Sequence, residues 1–102
     1  MSDRFEIIKK KYISSFSDKK DEIKSAWANN EIAHVHDLLH KLAGSSGGYG
    51  FNDLYKLVLR GMELTENTYN TNYDELNKCI EQICNKLKSL YETHFQEVEV
   101  GI

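Results

Sequence analysis

The apolar residues near the end of the chain recur with the spacing of an α-helix. They stand four, three, four and three residues apart, at Leu76, Ile80, Ile83, Leu87 and Leu90. This spacing is that of a helix that buries one stripe against other helices in a bundle. Alternation of apolar and polar residues, which indicates strands, never extends beyond a few residues. The chain also contains no proline, which favours long helices with short turns.

Four earlier segments also show helical spacing of apolar residues. In chain order these residues are Phe5, Ile8, Tyr12 and Phe16; Ile23, Ala26 and Trp27; Val35, Leu39 and Leu42; and Leu54, Leu57, Val58, Gly61 and Leu64. A chain of 102 residues has the ordinary size of one domain. We therefore predict an all-α fold in which residues 1–102 form a single domain, an antiparallel up-down-up-down four-helix bundle with an extra short N-terminal helix.

Polar residues mark the expected ends of these helices. Ser17 or Asp18 is suited to cap the second helix, Asn30 the third, and Asn72 the last, with Glu75 three residues on. The third helix should run from about residue 31 to residue 47 or 48, and the fourth from about residue 52 to residue 66. Gly61 falls on the inward side of the fourth helix, where we expect it to permit a close helix crossing.

Composition excludes several classes of protein. The net charge of −3 argues against a nucleic-acid surface, which should be basic. No stretch approaches the roughly 18 apolar residues that a membrane span needs, and the N-terminal residues lack signal-peptide character. Cys79 and Cys84 would lie too far apart on one helix for a disulfide, which predicts free thiols in a reducing compartment. We expect a cytoplasmic monomer without a nucleic-acid or membrane partner.

The third helix carries the residues of greatest chemical interest. Its apolar stripe consists of Ile32, Val35, Leu38, Leu39, Leu42 and Ser46. His40 lies more than about 100° from the middle of this stripe, and Gly44 follows one turn later on the same side. A glycine inside a helix costs about 0.5–1 kcal/mol relative to alanine. Close approach of another molecule to His40 would explain why Gly44 is kept.

The segment from His40 to Ser46, His-Lys-Leu-Ala-Gly-Ser-Ser, is followed by Gly-Gly-Tyr-Gly-Phe at residues 47–51. It resembles the motif of the histidine-containing phosphotransfer (HPt) domain, which reads His, any residue, Leu, often Lys, Gly, Ser, and then small residues with a second Gly. Ala43 departs from the motif where many members carry Lys or Arg. Other members resemble this chain, with a basic residue directly after the His.

The resemblance implies that His40 is phosphorylated on the exposed side of a bundle helix. The partners it implies are receiver domains of response regulators or hybrid histidine kinases, which supply the phosphoaccepting Asp and the metal ion. We expect Lys41, Gly44 and Ser45 to surround the ring, and His36 and Asp37 to belong to the docking surface.

A phosphoryl carrier needs little machinery of its own. A histidine side chain in water is mostly neutral at pH 7, and its ring nitrogen can attack phosphorus without a base. The sequence has no Gly-x4-Gly-Lys-Ser/Thr loop, and its glycine cluster follows a helix rather than a strand. We therefore predict a phosphotransfer intermediate without a cofactor and without ATP-dependent kinase activity.

Two other functions fit the same residues. One is a helical adaptor that docks receiver domains without carrying phosphate. The other is a small metal-binding bundle, because His36 and His40 stand four residues apart on one helix face. Two ligands do not make a structural metal site, and Asp37 is turned about 100° from His36. We therefore predict no metal site, and His40 as an ordinary surface histidine remains the plainest alternative.

Overall fold

The computed structural model describes residues 2–66 and 72–100, and the side chains of residues 4–66 and 72–95. Within these ranges the chain is all-α, as predicted, and forms no strand. The helices are α1 (Ser2–Ser14), α2 (Phe16–Ala28), α3 (Ile32–Gly48), α4 (Asn52–Glu66) and α5 (Tyr73–Val100). None of the helices in the described ranges is long and apolar enough to cross a membrane.

The helices α2, α3, α4 and α5 pack in a closed ring, each contacting the next and α5 returning to α2. The most extensive contact joins α3 and α4, and α1 lies against α2 and α5. One apolar core lies inside this ring. Its fully buried large side chains include Phe16, Ile23, Val35, Leu39, Leu42, Leu54, Val58, Ile83 and Leu87.

The C-terminal helix carries both cysteines into this core. Cys79 and Cys84 are free, as predicted, and both are buried. Burial raises the pKa of both thiols, because it disfavours the charged thiolate.

Several helix boundaries lie where the sequence places them. The predicted bounds of α4 are confirmed, and α3 begins within one residue of its predicted start. Asn72 caps α5, since its Oδ1 accepts a hydrogen bond of 2.9 Å from the Asp74 N–H. Glu75 does not complete a capping box and instead forms an ion pair with Arg60.

The predicted caps of α2 and α3 are wrong. Ser17 and Asp18 lie inside α2, because the break after α1 is confined to Ser15. The Ser15 hydroxyl donates back to the Tyr12 carbonyl at 2.6 Å instead of capping α2. Asn30 adopts a left-handed conformation with φ of 59°, and its Oδ1 accepts a 2.8 Å hydrogen bond from the Tyr73 hydroxyl. Asn30 therefore links the α2–α3 turn to the start of α5.

Gly61 allows α4 to approach two other helices closely, as predicted. A Cβ at this position would lie 2.8 Å from Leu39 Cδ1, 3.2 Å from Ile83 Cδ1 and 3.6 Å from Cys79 Sγ. Leu39 belongs to α3, and the other two residues belong to α5. The missing side chain at Gly61 is thus the point at which α3, α4 and α5 meet.

We expect Gly61→Ala to destabilise the protein even though alanine favours helix. The added methyl overpacks buried Leu39 and Ile83 at a cost of about 1–3 kcal/mol, against a helix gain of about 0.4–1 kcal/mol. The expected net loss of unfolding free energy in urea is about 1 kcal/mol. Gly44→Ala is the matched control, because a Cβ at Gly44 meets no atom within 4 Å. An equal rise in stability for both variants would contradict the packing role of Gly61.

Candidate functional site

The helix α3 has a buried side and an exposed side. Its residues Val35, Leu39, Leu42, Ala43 and Ser46 are buried, whereas Ile32 and Leu38 are partly buried. His40 is exposed and lies outside this stripe, as its helical position predicts. Because Leu39 is fully buried against Gly61, the rotation of α3 about its axis is fixed and His40 must face outward.

An open groove lies beside His40, between α3 and α4. It measures about 480 Å³, and its lining comprises His40, Ala43, Gly44, Gly47, Gly48, Asn52, Tyr55 and Met62. A Cβ at Gly44 would meet nothing within 4 Å, so a ligand or partner can approach the imidazole from this side. The Tyr55 ring packs near Gly47, where a Cβ would lie 3.2 Å from Tyr55 Cε1, and forms the wall contributed by α4.

A second groove lies on another side of α3, between that helix and the first two helices. It measures about 500 Å³, and its lining comprises Tyr12, Lys19, Glu22, Ile23, Leu38, Lys41, Leu42, Ser45 and Tyr49. Lys41 and Ser45 therefore line a different groove from His40 and Gly44. Gly44 lines the groove beside His40, and Ser45 lines the groove beside α1.

The Ser45 hydroxyl is engaged by α1. Its Oγ lies 2.6 Å from the Tyr12 hydroxyl oxygen, and the two hydroxyls share a hydrogen bond. The Tyr12 ring also stacks on Tyr49 with 4.3 Å between ring centroids. Burial raises the pKa of Tyr12, and the hydrogen bond to Ser45 opposes that rise. Ser45 thus joins α1 to α3.

Lys41 and Asp37 form an exposed ion pair on the surface of α3. Lys41 Nζ lies 3.4 Å from Asp37 Oδ2, one helical turn towards the N-terminus. Exposed pairs of this kind contribute little stability. The lysine is consequently free to exchange Asp37 for another anion at small cost.

His36 connects α3 to the end of α4. Its Nδ1 lies 2.8 Å from Thr65 Oγ1, and Nε2 lies 3.7 Å from a Glu66 carboxylate oxygen. The Thr65 hydroxyl also lies 3.0 Å from the Gly61 carbonyl oxygen, so it can donate there and accept from His36 Nδ1–H, or donate to Nδ1 itself. His36 joins α3 to α4 through this bond in either tautomer.

This hydrogen bond bears on the metal-binding alternative. With Nδ1 hydrogen-bonded to Thr65, Nε2 is the ring nitrogen of His36 that remains for a metal ion. Among the residues described, no group of three or more His, Cys, Asp or Glu side chains is placed to hold a metal ion. His36 thus binds Thr65 of α4 while it lies on the exposed side of α3.

Sequence reasoning missed the residues that α4 contributes to the site. Asn52, Tyr55 and Met62 line the His40 groove, and Thr65 binds His36. The sequence does indicate that Asn52, Tyr55 and Met62 share one side of α4. They recur three and then seven residues apart, beside the apolar stripe of that helix. Nothing local pairs Thr65 with His36, which lies 29 residues away.

No protein-family model, curated protein or solved structure matches the chain. The proposal for its function therefore depends on the chemistry and surroundings of His40.

We expect Thr65→Val to lower the unfolding free energy by about 0.5–1.5 kcal/mol, because it removes a part-buried hydrogen bond without changing side-chain shape. Loss of the Thr65 hydroxyl should also change the balance between the two tautomers of His36, which the nitrogen chemical shifts of its ring would report. Thr65→Ser keeps the hydroxyl and serves as the control. If Thr65→Val leaves the His36 ring shifts at their wild-type values, the hydrogen bond does not set the tautomer of His36.

Proposed function

We propose that the chain is a histidine-containing phosphotransfer domain that carries a phosphoryl group on His40 between the aspartates of receiver domains. One observation carries this proposal: His40 is exposed on a rigid helix, beside a glycine that has open space around it. The resemblance of the segment from His40 to Ser46 to the HPt motif also supports it. The metal-binding alternative does not explain the open approach at Gly44, whereas the adaptor alternative uses the same surface and differs only in transferring no phosphate.

The proposed transfer needs only one nucleophile from this chain. The lone pair of a neutral His40 ring nitrogen attacks the phosphorus of an aspartyl phosphate, and a P–N bond forms. The bond between phosphorus and the aspartate oxygen breaks, and its electron pair leaves with the carboxylate. The reverse step passes the group to another receiver. The receiver contributes the Asp and the metal ion, and this chain contributes no ATP site.

We propose an up-down-up-down arrangement for α2 to α5, with α1 as the additional N-terminal helix. The closed ring of contacts among these four helices supports it. The links at residues 29–31 and 49–51 are short, as is usual between antiparallel neighbours. We further propose that the domain acts in the cytoplasm as a monomer.

The proposed docking surface centres on His40 and Gly44. On α3 it includes His36, Asp37 and Lys41, and Ser45 lies at its margin beside α1. On α4 it extends over Tyr55 and Met62 in the groove and over Leu59, which is 38% exposed. A transient interface of this kind buries about 1,200 Å² or less, which this exposed side of α3 and α4 can supply.

We expect His40→Gln to fold normally and to accept no phosphate, because the exposed position tolerates the change but loses its nucleophile. The wild-type protein and the variant are incubated with phosphorylated receiver domains, and acid-labile label is measured on each. His36→Gln and His34→Gln are the controls and should still accept label. ATP with magnesium alone should label none of them. Docking of receivers without transfer to the wild-type protein would instead favour the adaptor function.

We expect Gly44→Gln to retain stability and lose transfer. Glutamine has good helix propensity, and the position meets no other atom within 4 Å, so the melting temperature should equal or exceed that of the wild type. The new side chain stands one turn from the imidazole, and a displacement of about 1 Å can cost roughly 10²-fold in rate. The melting temperature and the transfer rate are measured on the same sample. A wild-type rate would show that receivers do not approach over Gly44.

A further inference from the structure

The outer side of α1 carries a patch in which apolar and positively charged side chains are mixed. Arg4, Ile7, Ile8 and Lys11 stand at helical spacing and form one stripe along the helix. All four are exposed, with Ile7 at 56% and Ile8 at 48%. Phe5 is 51% exposed, but it lies about 110° from the middle of this stripe, and its ring centre is 6.2 Å from that of Tyr49 on the attached side of the helix. We call the four residues of the stripe the α1 patch.

The opposite side of α1 attaches the helix to the rest of the domain. Ile13 is buried, and Tyr12 stacks on Tyr49. Lys9 Nζ lies 5.2 Å from the centre of the Phe51 ring, which places this cation on the attached side as well. The α1 patch therefore remains uncovered while its helix is held in place.

The charge of the α1 patch differs in sign from that of the whole chain. Arg4 and Lys11 flank the two isoleucines, whereas Glu6 lies about 160° from Ile8, on the other side of the helix. The chain carries a net charge of −3. Charges are screened over about 8 Å at physiological ionic strength, so a surface that contacts α1 interacts mainly with the local cations.

We propose that the α1 patch binds reversibly to the surface of a bilayer that contains anionic phospholipids. In this position Ile7 and Ile8 enter the boundary between headgroups and acyl chains, and Arg4 and Lys11 reach the phosphates. This attachment lies in the plane of the interface and needs no membrane-spanning helix. It is independent of phosphotransfer at His40.

The mixed chemistry of the α1 patch favours a bilayer over a folded protein. A protein partner would need an apolar surface with acidic side chains on both sides of it. A bilayer supplies apolar and anionic groups at adjacent depths and adapts to the outline of the helix. A second copy of this chain would bring the same two cations, Arg4 and Lys11, against the α1 patch.

The proposal is tested by sedimentation of the full chain with phosphatidylcholine vesicles, prepared with and without phosphatidylserine. We expect binding only to the vesicles with phosphatidylserine, and weaker binding at high salt. Each of the variants Arg4→Gln and Lys11→Gln should lower the partition coefficient about fivefold. The double variant Ile7→Ser with Ile8→Ser should abolish binding.

Two control variants test whether the loss of binding is specific to the charge and the apolar side chains of the α1 patch. Lys88→Gln removes an exposed cation from α5, and Leu59→Ser removes an exposed apolar side chain from α4; both should bind like the wild type. Circular dichroism verifies the helix content of every variant. The proposal is overturned by absence of binding, by equal binding to both vesicle types, or by binding that the double variant retains. Self-association in vesicle-free protein that the double variant abolishes would also overturn it, since the α1 patch would then join copies.

Discussion

The close contact at Gly61 is the constraint on which the site depends. Leu39 Cδ1 occupies the space that a side chain at Gly61 would need, and Ile83 approaches from α5. This contact fixes α3 both in position and in rotation about its axis. His40 follows Leu39 directly and is therefore turned about 100° away from the core. The exposure of the imidazole is thus a consequence of packing at its neighbour, and it needs no polar interaction to hold it.

On its side towards α1, the helix α3 is held by side-chain contacts, whereas its side towards α4 carries the open groove beside His40. Towards α1, the Ser45 hydroxyl binds Tyr12, and the Tyr12 ring stacks on Tyr49. Towards α4, the small residues Gly44 and Gly47 leave a groove beside His40. The first side uses its polar groups to attach a helix, and the second leaves the imidazole accessible. The phosphoryl carrier that we propose would benefit from this division, because stability and access depend on different residues.

Much of the fold was predictable because local periodicity determines it. The bounds of α4, the buried stripe of α3 and the close contact at Gly61 all follow from residues within one helix. The groove that Ser45 faces was not predictable, because Tyr12 lies 33 residues away. The same holds for Asn30, which binds Tyr73 across 43 residues instead of capping α3. Where a polar side chain has several possible hydrogen-bond partners, the packing of the helices determines which one it binds.

Gly44 and Gly61 illustrate how one residue type acquires opposite roles in a helical domain. Both lie inside helices, and both carry the same intrinsic cost in helix propensity. At Gly61 the cost is offset by close packing among three helices, so the glycine serves the fold. At Gly44 a Cβ would meet no atom of the described residues within 4 Å, and the packing of that part of the chain gives no reason for the glycine. A destabilising residue without a structural benefit, one turn from an exposed nucleophile, indicates that the benefit arises when another molecule approaches His40.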